Sequence, residues 1–239
     1  MKKEIRNLAS IFVEGATDRI MYKTFFVNVL GYEEIKDKEL EALQQEMRFG
    51  GELIPLKDSI VLFSSSKQSL VIIKSKNGKD KLLKFARENV SAIKPLKRKV
   101  KENLQVENFY IEIQQLFIAY VFDTDINLKK LEELTELYVN NQEVLIATQP
   151  TPEDIVLKIF DNYFLNEKPE WKTWLQECSK KLERLFSKHI DKRKTCLIKA
   201  MIGERCYYHL FETLFNKQGI KETLTNEQIT WVNNLSGLI

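Results

Sequence analysis

Leu8-Ala9-Ser10-Ile11-Phe12-Val13-Glu14-Gly15-Ala16-Thr17-Asp18 is the stretch from which the fold can be read. Residues 8–13 form a short apolar run with β-branched and aromatic members, the signature of a buried strand, and Glu14-Gly15 closes it with a turn signal. From Thr17-Asp18 onward, Ile20, Met21, Phe25, Val29 and Leu30 recur at helical spacing until Gly31, a C-terminal stop. The unit is strand, tight turn, helix.

The same alternation continues down the chain. Ser59–Ser64 and Ser69–Lys74 are two β-rich runs separated by a short polar stretch, which predicts a hairpin. After Asn77-Gly78, Leu82, Leu83, Phe85, Ala86 and Val90 share one face of an amphipathic helix that should end before Pro95. Leu116–Phe122, the most apolar stretch, predicts a central strand that ends in Asp123-Thr124-Asp125. Leu128–Val139 reads as a helix and Glu143–Thr148 as a strand, and Thr151-Pro152-Glu153 opens another helix with an N-cap threonine and a first-position proline. Strands alternating with helices over residues 8–165 imply an α/β fold, a largely parallel Rossmann-like sheet with helices on both faces.

The expected organisation is an α/β domain over 1–167, with 33–57 as a charged insertion read as a short exposed helix or a mobile segment. An α-helical C-terminal appendage over 168–239 follows. At ~150 residues per domain, 239 residues correspond to one full core and an extension. The hydrophobic fraction of 44% excludes a disordered chain, and no apolar run approaches the ~18 residues of a membrane span. The start, Met1 to Arg6, has no cleavable apolar core, so a cytoplasmic location is expected. Three cysteines without CxxC spacing argue against a disulfide framework or a structural zinc site. With 37 basic against 34 acidic residues, net charge alone does not announce a nucleic-acid partner.

In open parallel sheets ligands bind beyond the carboxyl ends of the strands, and in this sequence the residues predicted there are acidic. Glu14 follows the first strand, Asp123 and Asp125 end the central one, and Glu153 and Asp154 follow the last. Asp18 lies four residues after Glu14, about one helical turn. Carboxylates gathered at one mouth raise one another's pKa unless a cation neutralises them, and hard oxygen ligands select Mg²⁺ or Mn²⁺. Turn and helix caps on an unrelated α/β sheet are the competing reading, and it predicts side chains that point apart.

Ile11–Asp18 resembles the first motif of the TOPRIM domain, an apolar strand ending in Glu-Gly with an aspartate one turn later. Ala119-Tyr120-Val121-Phe122-Asp123-Thr124-Asp125 resembles its Asp-x-Asp motif, and Ser75–Asp80 is similar to the glycine-containing turn commonly found between the two. The resemblance implies metal-dependent phosphoryl transfer on nucleic acid. It makes Glu14, Asp123 and Asp125 the catalytic set, and Glu14, Asp18, Asp123, Asp125 and Glu153 the ligands of Mg²⁺ or Mn²⁺. Ile126-Asn127 follows Asp125 with no glycine soon after, unlike many topoisomerase and small-ribonuclease versions. A topoisomerase gate domain or a primase zinc region finds no room in 239 residues. The expectation is a compact nuclease of the kind found in overcoming-lysogenization-defect (OLD) proteins and anti-phage TOPRIM effectors. No GxxxxGK[ST] sequence occurs, so an ATPase of the ABC type would be a separate partner.

A polyanion must also find cations. Lys79, at a predicted helix start, and Lys192, Arg193, Lys194 and Lys199, at the junction of two tail helices, are the candidate nucleic-acid contacts. Lys94, Lys97, Arg98, Lys99 and Lys101 form a second basic group that a solvated helix end also explains. The other reading, from a different functional class, is a non-catalytic binding or regulatory module on the same fold. DNA versus RNA, endo versus exo cleavage, and a homo-oligomeric state stay open.

Overall fold

The computed structural model describes residues 2–28, 30–101, 104–106, 108–149, 151, 170, 173–174 and 177–178. The elements are β1 (Lys3–Val13), α1 (Ala16–Asn28), β2 (Glu33–Glu34), α2 (Asp37–Glu46), a 3-10 segment (Met47–Leu53), β3 (Ile60–Ser64) and β4 (Ser69–Ser75). They continue with α3 (Lys79–Glu88), a 3-10 turn (Val90–Ala92), α4 (Ile93–Lys99), β5 (Leu104–Gln105), β6 (Phe109–Asp123), α5 (Leu128–Leu137) and β7 (Val144–Gln149). Seven strands form one sheet in the order β2-β3-β4-β1-β6-β5, with β7 on the same edge of β6 as a separate pairing. β4, β1, β6 and β7 run parallel, while β3 and β5 are antiparallel to their neighbours β4 and β6. This is the α/β, largely parallel, Rossmann-like sheet that the alternation predicted.

Both faces of the central strands are buried, which is why they read as continuous apolar runs. Side chains alternate between the faces. Leu8, Phe12, Leu70, Ile72, Ile118, Tyr120 and Phe122 join the core beneath α3, α4 and α5. Ala9, Ile11, Val13, Val71, Ile73, Ala119 and Val121 face the other way and are equally buried, and α1 packs there against β3 and β4 through its apolar stripe of Met21, Tyr22, Phe25 and Phe26. An aromatic column ties strands to helices. Phe12 lies 4.8 Å from Phe85 of α3 and 5.5 Å from Tyr120, centroid to centroid, and Tyr120 lies 5.6 Å from Tyr138. The Tyr138 hydroxyl donates to the Ala86 carbonyl, so the column's polar tip is satisfied inside the core.

Two local expectations differ from what is found. Within 33–57, β2 adds to the sheet edge, and Ile35, Leu43, Met47, Leu53, Ile54 and Leu56 are buried in the main core rather than exposed. The many charges of that stretch lie on the outer face of α2 and hide its apolar stripe in a linear reading. The helix after Asn77-Gly78, α3, ends before Pro95 as expected, but at Glu88 and not because of the proline. It breaks at Asn89, and α4 resumes with Pro95 in its first turn, where the missing N–H would have had no intrahelical acceptor.

Candidate functional site

Because β4, β1, β6 and β7 are parallel, their last residues line one edge of the sheet. Val13 sits beside Ser75 and Val121, and Asp123 beside Gln149. Glu14, the next residue after β1, therefore enters the same mouth as Asp123. Its Oε1 accepts the backbone N–H of Asp123 at 3.0 Å, and Glu14 is only 8% exposed. The Glu14 carbonyl accepts the Gly78 N–H at 2.8 Å, and Ser75 Oγ lies 3.3 Å from the same carbonyl. Gly78 adopts φ +131°, a conformation that a Cβ disfavours, and this lets the β4–α3 turn approach Glu14 closely.

Asp18, in the first turn of α1, is 3% exposed and accepts the Gly15 N–H through Oδ2 at 2.8 Å. A Cβ on Gly15 would sit 3.0 Å from that oxygen, so the Glu-Gly pair of the motif has a steric reason. Gln149 closes the arrangement. Its Nε2 donates to Asp18 Oδ1 at 2.6 Å and to Asp123 Oδ1 at 3.1 Å, while its Oε1 accepts from the Tyr22 hydroxyl. Its backbone carbonyl takes the Thr124 N–H at 2.8 Å, which fixes the start of the Asp-x-Asp turn. Asp125 lies at the lip, half exposed and ion-paired with Lys79 of α3.

The electrostatics follow from this packing. Burial raises the Glu14 carboxyl above its ordinary range, against the relief given by the Asp123 N–H and the Lys79 charge. Burial, with Glu14 as a like charge, pushes Asp18 to about 6, although the Gly15 N–H and Gln149 favour its ionised form. Asp123 is pushed to about 8 by burial and by the charges of Asp18, Glu14 and Asp125, with the Gln149 hydrogen bond opposing. Burial works against the Lys79 ammonium, but its bond to Asp125 and the nearby carboxylates of Glu14 and Asp123 outweigh it and raise its pKa. Perturbed carboxylates in a mouth are where acid–base or metal chemistry becomes possible.

The structure thus gathers Glu14, Asp18, Asp123, Asp125 and Lys79 at one edge. The all-oxygen donor set suits a hard divalent cation. Among the described residues, however, no three acidic, histidine or cysteine side chains already converge as a ligand group. The carboxylates are spaced by N–H donors and by the Gln149 amide, so holding an ion would require their oxygens to turn inward. Glu153, Lys192, Arg193, Lys194 and Lys199, together with the helical appendage apart from 170, 173–174 and 177–178, lie outside the described residues. The second basic group sits elsewhere. Lys97 pairs with Glu143, the residue before β7, and with Lys101, Gln114 and Gln115 it lines a cavity of about 360 Å³. Gln115 precedes Asp123 by eight residues of strand, about 26 Å.

Gln149 and Tyr22 are site residues that a reading for carboxylates passes over. An amide carries no charge to draw attention, and Tyr22 reads as one more member of an apolar stripe. Position was the available signal, since Gln149 ends the fourth parallel strand, where a ligand-facing residue belongs.

No family model matches the chain, and no curated protein matches it. Among solved structures, a hypothetical protein from Pyrococcus horikoshii OT3 is similar over 92% of this chain and 100% of its own, at 15% sequence identity and a TM-score of 0.44. That grade of likeness carries no assignment. No helix among the described residues is long and apolar enough to cross a membrane.

Proposed function

We propose that this chain is a TOPRIM-type nuclease that uses Mg²⁺ or Mn²⁺ to cleave phosphodiester bonds in nucleic acid. The observation that carries the reading is the meeting of Glu14, Asp18 and Asp123, distant in sequence, through the Asp123 N–H and the Gln149 amide at one sheet edge. Glu14, Asp18, Asp123 and Asp125 are the residues to hold the ion, with Glu153 a further ligand by resemblance. When bound, such an ion supplies charge neutralisation at a phosphoryl group and activates a water.

The chain's own groups do the rest. The Asp123 carboxyl, pushed up to about 8 by burial and its acidic neighbours, would give up its proton on helping to hold a cation. Glu14, nearly buried and with its carboxyl raised above the ordinary range, is suited to accept a proton from an attacking water. Lys79 steadies Asp125 and offers an ammonium to a non-bridging phosphate oxygen. By family analogy the biological setting is anti-phage defence beside a separate ABC-type ATPase, in the cytoplasm, as for the OLD-like proteins that the motifs resemble.

Cleavage of DNA and of structured RNA, tRNA included, is the test. The wild type should cut at least one of them with Mg²⁺ or Mn²⁺, and Glu14→Ala should lose on the order of 10²- to 10⁴-fold in rate. Identical behaviour of the two on every substrate removes this site from catalysis. A second reading, a non-catalytic binding module, draws on the fact that Asp125 is taken by Lys79 and that Gln149 already occupies Asp18 and Asp123. Under it, calorimetry should find no Mn²⁺ uptake that depends on Asp123.

A further inference from the structure

A cluster of cations lies beside the carboxylate mouth, on the β3–β4 side. Lys74, next to last in β4, is paired across the ladder with Phe12, two residues before Glu14. Its Nζ donates to the carbonyls of Lys57 at 2.9 Å and Asp58 at 3.0 Å. Arg19, which follows Asp18 in α1, donates from Nη1 to the same Asp58 carbonyl at 3.2 Å. One neutral oxygen thus gathers two cationic heads, and Asp58 itself stands at φ +58° to present it.

Among the described residues neither Arg19, Lys57 nor Lys74 forms an ion pair. Arg19 Nε is buried with no acceptor. Two acids stand near: the Asp58 carboxylate acts on Lys74, and Glu52 acts on the neighbouring Lys76. They do not cancel the cluster, because burial and the repulsion of Arg19 and Lys57 leave the Lys74 pKa lowered. Lys76 is engaged otherwise, with its Nζ over the Phe85 ring. Like charges held together around one neutral carbonyl are the arrangement that an oxyanion relieves.

We propose that Arg19, Lys57 and Lys74 form a phosphate-binding groove that grips the backbone of a nucleic-acid strand next to the carboxylate mouth. This rests on the nuclease reading for the identity of the polyanion. Adjacent strands are ~4.8 Å apart, so the groove begins one to two strand spacings from Glu14. Phosphates along a helical strand recur every ~3.4 Å of rise, so a chain that reacts at the mouth and runs toward β3 has its next few phosphates within reach of these cations. An acidic peptide lacks that fixed relation to the mouth. Backbone contacts of this kind position the strand without reading its sequence.

Binding can be measured apart from cleavage, by fluorescence anisotropy in EDTA with short single-stranded DNA, single-stranded RNA and duplex DNA over a series of salt concentrations. The wild type should bind at low salt, and on single strands the slope of log affinity against log salt should fall in magnitude by roughly 0.7 for each phosphate that a variant leaves unneutralised. Arg19→Ala with Lys74→Ala should weaken binding and flatten that slope. Arg19→Lys with Lys74→Arg should restore most of both, and Lys2→Ala with Lys38→Ala, beside the Lys3–Glu39 pair at the opposite end of β1, should change neither. Three results would overturn the groove: no wild-type binding, wild-type affinity and slope in the Arg19→Ala/Lys74→Ala protein, or displacement by polyglutamate as effective as by unlabelled oligonucleotide. Cleavage that depends on Glu14 while binding ignores the groove removes this inference alone. Groove-dependent binding with no cleavage on any substrate removes the nuclease reading alone.

Discussion

Burial lifts Asp18 to about 6 and Asp123 to about 8, so the folded chain keeps protons that the unfolded chain releases at ~3.9. Unfolding therefore gives up protons between those values, and stability falls as pH rises through them. The melting temperature of the metal-free protein should drop by several degrees from about pH 5 to about pH 8.5, with ~1 kcal/mol corresponding to roughly 2–4 °C. Asp123→Asn should flatten the drop. A rise in melting temperature over this range would mean that the carboxylates are not held as described. Gln149 carries the next prediction. Gln149→Leu removes the amide that bonds Asp18, Asp123 and the Tyr22 hydroxyl, and the loss of its donor to the two carboxyl oxygens should cost about 1–3 kcal/mol each. Gln149→Glu should destabilise the metal-free chain at high pH and tighten Mn²⁺ binding, because a further carboxylate beside Asp18, Asp123 and Glu14 repels them until a cation joins them. Calorimetry reads both effects.

The turns after the strands matter more to the mouth than the strands do. Gly78, at φ +131°, should cost about 1–3 kcal/mol on substitution by alanine. Its N–H bond to Glu14 would loosen, and Mn²⁺ affinity should fall in parallel. Phe85→Ala, in the aromatic column and away from the carboxylates, should cost ~3–5 kcal/mol by urea denaturation and leave Mn²⁺ affinity unchanged in the folded protein. Much of this layer was legible in the sequence. The run Leu8–Val13 with its Glu-Gly stop, the β3–β4 hairpin, and the acidic end of Leu116–Phe122 all became the elements that periodicity implied. Strand ends were harder. β1 and β6 extend back to Lys3 and Phe109 through residues whose polar members face outward, and only pairing with a neighbouring strand makes them β. The 33–57 stretch hid its buried stripe for the same kind of reason, since long-range packing selects one face of α2 and local charge density does not reveal which.

At the scale of the whole molecule, parallel topology is what turns scattered acids into a site. Four carboxyl ends at one edge bring residues more than a hundred positions apart into hydrogen-bonding distance, and the same edge carries Lys79 and the Arg19–Lys74 pair. Sequence reasoning reached the carboxylates because their charges stand out at strand ends. It missed Gln149, Tyr22, Arg19 and Lys74, whose roles exist only once β7, α1 and β4 are adjacent. The proposed nuclease activity requires this edge to take up a divalent cation. Titration of the full chain with Mn²⁺ near pH 7 in two buffers of different protonation enthalpy tests it most directly. Wild-type protein should bind with release of a proton fraction, and Glu14→Ala and Asp123→Asn should each abolish the event. Absence of wild-type binding, or binding that survives in both variants, would contradict the account.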